Sequence, residues 1–511
     1  MNSEKRLRIH VKRGGGIVTM RWKKIILIAM IILLLLYGML SIPVKDTPQM
    51  SGAGKQSFAW NQNEMWQALE AKFRDARSAG CPAAEPGIRK HLQEGYGQLA
   101  IMAGRPSEPS AFLFDAVESN LFNLGPLMAA CPEHIDEYEK LVSSMREAVK
   151  LQSRTWDVRD RTVRDRLYRL LYGGRTALEE VMLQAPRDSR PAMMPGTNEP
   201  SQSPSFQYGG VELHSGDILL SRGGAPTSAL IARGNDYPGN FSHIGLLYVD
   251  EVTHTPSVIE AHIERGVVIS SLKEYLKDVK LRVMVMRVRA DHPLLMKDPM
   301  LPHRAAKMAY DEVRKRHIPY DFEMDFKEPS KQFCSEVASH VYDSLGVTLW
   351  NIITTMSSPG VVNWLGDFGV RYFETQAPAD LEYDPQLVVV AEWRDMGALW
   401  DDHVDNAVTE AMLEKADRGL RLSYDWYLLA PARLVKGYSV ILNKFGKVGP
   451  IPEGMSTPVA LKSMRLDKLH KQIKKQVLAE ADAFEQKNRY RPPYWELVKM
   501  AGDAFKTQSS L

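Results

Sequence analysis

Cys334, His243 and Glu260 are the residues of this 511-residue chain whose types and spacing could do chemistry. Thiol hydrolysis needs a sulfur nucleophile, a base that takes its proton, and a group that fixes the tautomer of the base. Cys334 stands in KQFCSEVASHVYDSL, where Val337, Val341 and Leu345 recur at helical spacing. It is expected to open a helix with its side chain on the buried face. The free amides and partial positive charge of a helix N-terminus would lower the thiol pKa and could hold a developing oxyanion. His243 and Glu260 lie on two apolar runs, SHIGLLYVD (242–250) and PSVIEAH (256–262), joined by a short turn. Antiparallel pairing about that turn puts His243 opposite Glu260 or within two residues of it, where a carboxylate would orient an imidazole. His262, on the same face as Glu260, and His254 compete for the role of base. The plain alternative is a satisfied strand histidine beside a solvent-facing Glu260.

These residues need a scaffold, and the periodicities supply one. GDILLS (216–221), the two runs above, GVVISSL (266–272) and RVMVMRVR (282–289) are short apolar runs bounded by turn residues. They predict an antiparallel sheet or small barrel. Helices are expected at about 303–316 and 334–346, and QLVVVAEW (386–393) reads as a closing strand. Residues 184–210 are rich in Pro, Ser and Gly and read as a linker. Residues 58–183 read as a helical bundle, without chemistry of its own. Its apolar stripes are Met65, Leu69 and Phe73, with Asn63 as a cap; Ile135, Tyr138, Val142, Met145 and Val149; and Val163, Leu167 and Leu170 after Trp156. The opposite face of that last segment, RDRTVRDRLYR, reads as solvated, with internal ion pairs. Residues 404–511 return to helix. There Leu461 to Phe484 is amphipathic, with Lys462, Lys468, Lys471, Lys474 and Lys475 on its polar side. A solvated face is the simpler reading, and a lipid surface the alternative.

The formal net charge is +3, with 44% apolar and 25% charged residues. That balance is globular and excludes bulk nucleic-acid binding. Ile25 to Ile42 carries no charge over 18 residues, the length of a bilayer-spanning helix. Lys5, Arg6, Arg8, Lys12, Arg13, Arg21, Lys23 and Lys24 precede it against Glu4 alone. The positive-inside rule then keeps residues 1–24 in the cytoplasm, and a tether at 46–57 leads the rest of the chain outside. The alternative is a cleaved signal peptide, but YGMLSIPVKD lacks its small-x-small pattern. Met20 before RWKK is a second natural start. The expected location is the inner, cytoplasmic membrane, single-pass, with the catalytic part on the periplasmic or extracytoplasmic side. In that oxidising setting Cys81 and Cys131, both in CP contexts, are candidates for a disulfide closing a loop of about 50 residues. The third cysteine, Cys334, is left over, which a nucleophilic role explains. No CxxC pair or zinc-like spacing occurs, and no metal or organic cofactor is indicated.

In this order GDILL, SHIG, VIEA followed by a GV turn, PYDF and FCSE resemble the permuted NlpC-type, papain-like amidases typified by the YiiX/YaeF group. The resemblance covers about residues 210–390, so residues 211–395 are taken as the hydrolase domain. It implies an α+β fold, a small antiparallel barrel-like sheet packed on a cysteine helix. It also implies Cys334 as nucleophile, His243 as base and Glu260 as the third polar residue. His243 precedes Cys334, the permuted order. Tyr320 in PYDF resembles a tyrosine near the family's active cleft. Tyr383, in the closing motif APADLEYDP, is a further candidate for substrate contact. The membrane segment, the bundle and the C-terminal helices are additions to that unit. Three functions fit: an amidase or peptidase acting on a cell-envelope peptide, a lipid ester hydrolase or acyltransferase with the same triad, and a non-enzymatic envelope scaffold. The sequence names no protein partner.

Overall fold

The computed structural model describes residues 16–43, 50–60, 62–186 and 190–508, with side chains described between residues 24 and 506. Most of the basic N-terminal segment lies outside these residues. The apolar run forms the helix Gly16–Leu40, and its side chains from Ile25 to Leu36 face outward with no protein over them. Among the described residues, no helix is long and apolar enough to cross a membrane.

Seven strands form one antiparallel sheet. Their order is Met193–Pro195, Leu387–Trp393, Lys280–Val288, Ile218–Gly223, His243–Val249, Pro256–His262 and Gly266–Ser271. The central strands are apolar on both faces because both faces are covered. On one face Ile218, Leu220, Ile244, Leu246 and Met284 pack with the helices Leu301–Lys315 and Glu336–Ser344. On the other, Leu219, Leu247, Val258 and Val285 pack under the hairpin Ser205–Tyr208 and Val211–His214 and the short helix Leu272–Lys277. The two end strands, Met193–Pro195 and Gly266–Ser271, do not pair with each other, so the sheet is open and not the expected barrel.

Two other expectations change. The 184–210 segment is not only linker: Met193–Pro195 pairs with Trp393, Glu392 and Ala391. The tether is fastened where it is described, with Ala53 N donating to Met356 O (2.9 Å) and Lys55 N to Ser357 Oγ (2.9 Å).

The helices Asn63–Ala79, Cys81–Gly104, Phe112–Ala130, Ile135–Gln152 and Gly173–Gln184 form the N-terminal bundle. Every residue of the Ile135 to Val149 stripe is buried. Asn63 does not cap; Gln62 takes that position without a side-chain bond. Nor is the RDRTVRDRLYR face wholly solvated. Arg164 is buried and reaches across to Asp380 (2.9 Å) and to the carbonyl of Ile353 (2.6 Å). The C-terminal part packs around the buried helix Met396–Asp417. The helix Thr457–Asn488 turns Leu466, Ile473 and Val477 into this core, so its apolar face is covered by protein and not free for lipid.

Candidate active site

Cys334 precedes the helix Glu336–Ser344 by two residues, in a tight turn rather than at its first helical position. Its sulfur is nearly buried and lies 3.9 Å from the carbonyl of Ser242. The amide of Ile244 donates a hydrogen bond to it. The sulfur thus touches the backbone on both sides of His243, at the start of the strand His243–Val249. The turn is braced by Glu336, whose carboxyl oxygen accepts from Phe333 N at 2.8 Å, with burial pushing that acid up to about 8.

His243 and Glu260 meet across the sheet. Glu260 is paired with Gly245, two residues along from His243 and so on the same face. Nε2 of His243 lies 2.8 Å from Glu260 Oε2. Gly245 keeps this contact close, since a Cβ there would stand 2.6 Å from Val258 Cγ1. Glu260 is 1% exposed and has two further partners, Ser270 Oγ at 2.7 Å and His262 Nε2 at 3.0 Å. Burial works to raise the pKa of Glu260, but the hydrogen bonds from His243 and His262 outweigh it and hold the carboxyl well below its usual range. An ionised carboxylate only accepts. Nε2 of His243 therefore carries the proton, and Nδ1 has the free lone pair a base needs.

The electrostatics describe a neutral resting pair. Burial pushes the Cys334 thiol up to about 11, against the smaller opposing effect of hydrogen bonds from Ile244 and Ser335. Burial also lowers His243 below its ordinary value, despite Glu260. The expected depression of the thiol by the helix start is overridden by desolvation, because a charged sulfur here would lose its water.

Tyr320 is brought to the site. The segment carrying it bridges to Gln332, two residues before Cys334. Gly266, at φ +70, lets the Ile318–Pro319 backbone approach too closely for any side chain, and Val267 N donates to Ile318 O at 2.9 Å. Burial raises the Tyr320 phenol well above its usual value, with the nearby Cys334 adding to it. Tyr383 is not brought there. It lies in the core shared with the N-terminal bundle, its ring 6.2 Å from that of Tyr168. His254 is exposed on the far turn, its Nδ1 3.2 Å from Ser205 O. His262 shares the Glu260 carboxylate, and its ring centroid is 6.3 Å from that of His243. Ser270 and Glu336 were not singled out by the sequence. Ser270 depends on a second strand register, and Glu336 showed itself only as a letter of the FCSE motif.

Cys81 and Cys131 form a disulfide, with Cα atoms 5.4 Å apart. Among the described residues they are also the core of the one grouping of possible metal ligands, with Glu133. A cavity of about 710 Å³ opens elsewhere, between Trp60, Tyr172, Glu180, Glu410 and Tyr494; neither Cys334 nor His243 lines it.

A buried thiol in the turn before a helix, its sulfur against the backbone flanking a strand histidine earlier in the chain, is the order expected of a permuted papain-like cysteine hydrolase. Residues 212–391 match the family described as permuted papain-like amidase enzyme, YaeF/YiiX, C92 family. This third of the chain is thus an amidase-family cysteine-hydrolase domain; the NlpC-type label is broader than the match. Among solved structures, the chain is similar to metalloprotein YiiX from Escherichia coli O157:H7. The identity is 21%, covering 35% of this chain and 97% of that one, with a TM-score of 0.27. No curated protein matches the chain.

Proposed function

We propose that the protein is a membrane-anchored, outward-facing thiol hydrolase that cleaves an amide bond of a cell-envelope peptide with Cys334, His243 and Glu260. The observation that carries the chemistry is the 2.8 Å His243–Glu260 hydrogen bond on the strand whose start touches the sulfur. Nδ1 of His243 takes the thiol proton as Sγ adds to the amide carbonyl. The charge on the imidazolium is balanced by Glu260, which is why that carboxylate must be ionised. The backbone amides of Cys334 and Ser335, both of which lower the thiol, would meet the oxyanion. The C–N bond breaks as His243 returns the proton to the leaving amine. A water, deprotonated by His243, then hydrolyses the thioester, freeing the acid and the thiol. Tyr320 borders the path of the acyl group.

The anchoring is supported by the uncharged run 25–42, which continues past the helix end at Leu40, and by the outward-facing side chains of that helix. The basic residues before it support the orientation. The Cys81–Cys131 disulfide accords with an oxidising side.

Incubation of the full chain with muropeptides and, separately, with phospholipids, followed by mass spectrometry, tests the substrate class. A muropeptide fragment that gains one water, and is absent with Cys334→Ala, is expected. Cleavage of phospholipid alone would make the enzyme an ester hydrolase. No turnover of either by folded protein, with Cys334 inert to thiol probes, would favour the scaffold.

A further inference from the structure

The helix Leu429–Lys444 has one face on the protein and one on nothing. Leu429, Ala430 and Ser439 are buried, and Ser439 Oγ accepts from Ile451 N at 3.1 Å. On the opposite side Leu434, Tyr438, Ile441 and Phe445 are exposed by 65%, 55%, 56% and 76%. Their spacing makes one continuous apolar stripe. Trp426 and Tyr427 extend it at the start, both exposed. A stripe this long is unusual on a surface meant for water.

Its neighbour indicates what covers it. Tyr37 Oη, near the end of the apolar N-terminal helix, donates to Tyr427 O at 2.8 Å, and Arg433 Nη1 donates to Leu40 O at 2.8 Å. The stripe therefore starts where the uncharged run 25–42 ends. The charges agree: residues 426–452 hold Arg433, Lys436, Lys444 and Lys447 and no carboxylate. Aromatic side chains at the start, an apolar stripe and a cationic flank are the marks of a helix lying in the headgroup region of an anionic bilayer.

We infer that Leu429–Lys444, with Trp426 to Leu428 before it, is an interfacial helix that docks on the same anionic lipid leaflet from which the N-terminal helix emerges. The inference rests on the anchoring proposed above. It gives the catalytic part a fixed attitude to the bilayer. The segment after the helix reaches the cleft: Gly454 packs against the Phe322 ring, which lies 5.0 Å from that of Tyr320.

The full chain, reconstituted in vesicles of phosphatidylethanolamine and phosphatidylglycerol with a trace of phospholipid bearing a diazirine in its acyl chain, is photolysed, digested and read by mass spectrometry. Adducts are expected in peptides from 25–42 and from 426–448 alike. Adducts in 25–42 without any in 426–448 would overturn the interfacial helix and leave the anchor standing. Adducts in neither would remove both. The triple variant Leu434→Glu, Ile441→Glu, Phe445→Glu alters exposed positions only. It should keep the adducts in 25–42 and the thiol reactivity of Cys334, and lose those in 426–448 by about tenfold or more. An undiminished yield there would also contradict the proposal.

Discussion

At the scale of single residues, Cys334 and His243 rest as thiol and neutral imidazole, and this decides how each partner matters. Burial raises the thiol and lowers the imidazole, so in the proposed reaction Glu260 would act by stabilising charge as it forms, not by holding a preformed ion pair. Glu260→Gln keeps the shape and removes the charge. Turnover should fall by about a hundredfold or more, in kcat rather than KM; an unchanged kcat would show that the carboxylate is only structural. The two histidines on Glu260 are separable in the same way. His243→Ala should cost at least about a hundredfold, and His262→Ala less than about tenfold, because the sulfur lies against the backbone flanking His243. The reverse order would move the base to His262. The sequence carried the types of these residues and the His243–Glu260 face, since a two-strand turn fixes both. It could not carry Ser270, whose place depends on the register Val258↔Ser270 across a second turn.

At the scale of elements, alternation and apolar runs located the central strands, because such strands have little else to be. The edge strand Met193–Pro195 was invisible, being short and set among Pro, Met and Ser that also spell linker. Lysine spacing marked Leu461 to Phe484 as amphipathic, with a solvated polar face as the simpler reading, but only packing shows that its apolar face is already covered. The Cys81–Cys131 link joins the start of Cys81–Gly104 to the end of Phe112–Ala130, closing a loop of 50 residues. In the chain-entropy account such a loop is worth about 4 kcal/mol. Cys131→Ser should therefore lower stability by up to that amount in denaturant titration while leaving Cys334 reactive. An equal midpoint with and without reductant would show the link to be of no consequence.

At the scale of the molecule, three stretches that read as separate domains are joined by buried charge. Glu179 of the bundle accepts from Arg175 at 2.8 Å and from Arg282 of the central sheet at 2.6 Å. Arg282 in turn meets Asp402 of the C-terminal helix, at 2.8 Å from Nε. Arg175 also binds Glu382, and Arg146 binds Glu392. No periodicity announces such a junction, because charged residues on a helix are read as solvated by default. Removing one member leaves the others buried and unpaired. Glu179→Ala should cost about 3–5 kcal/mol and unfold the bundle and sheet together; two separate transitions would show independent domains. The acids fix a pH window too. Burial opposes it, but Arg394 and Arg146 lower Glu392 to about 2, and Arg282 and Arg175 hold Glu179 lower still. Their contribution is complete above the ordinary glutamate range near pH 4.5 and is lost as pH falls toward the depressed values. Thermal melts should weaken progressively below about pH 4.5.

The most direct test of the account is the pH dependence of Cys334 alkylation in the full chain, wild type against His243→Ala. If His243 takes the thiol proton, the wild-type rate should rise through a pKa below 6.5 and then level. The variant should instead stay slow at neutrality and climb only toward the thiol value of about 11. Identical profiles for the two proteins would separate the imidazole from the sulfur and contradict the account.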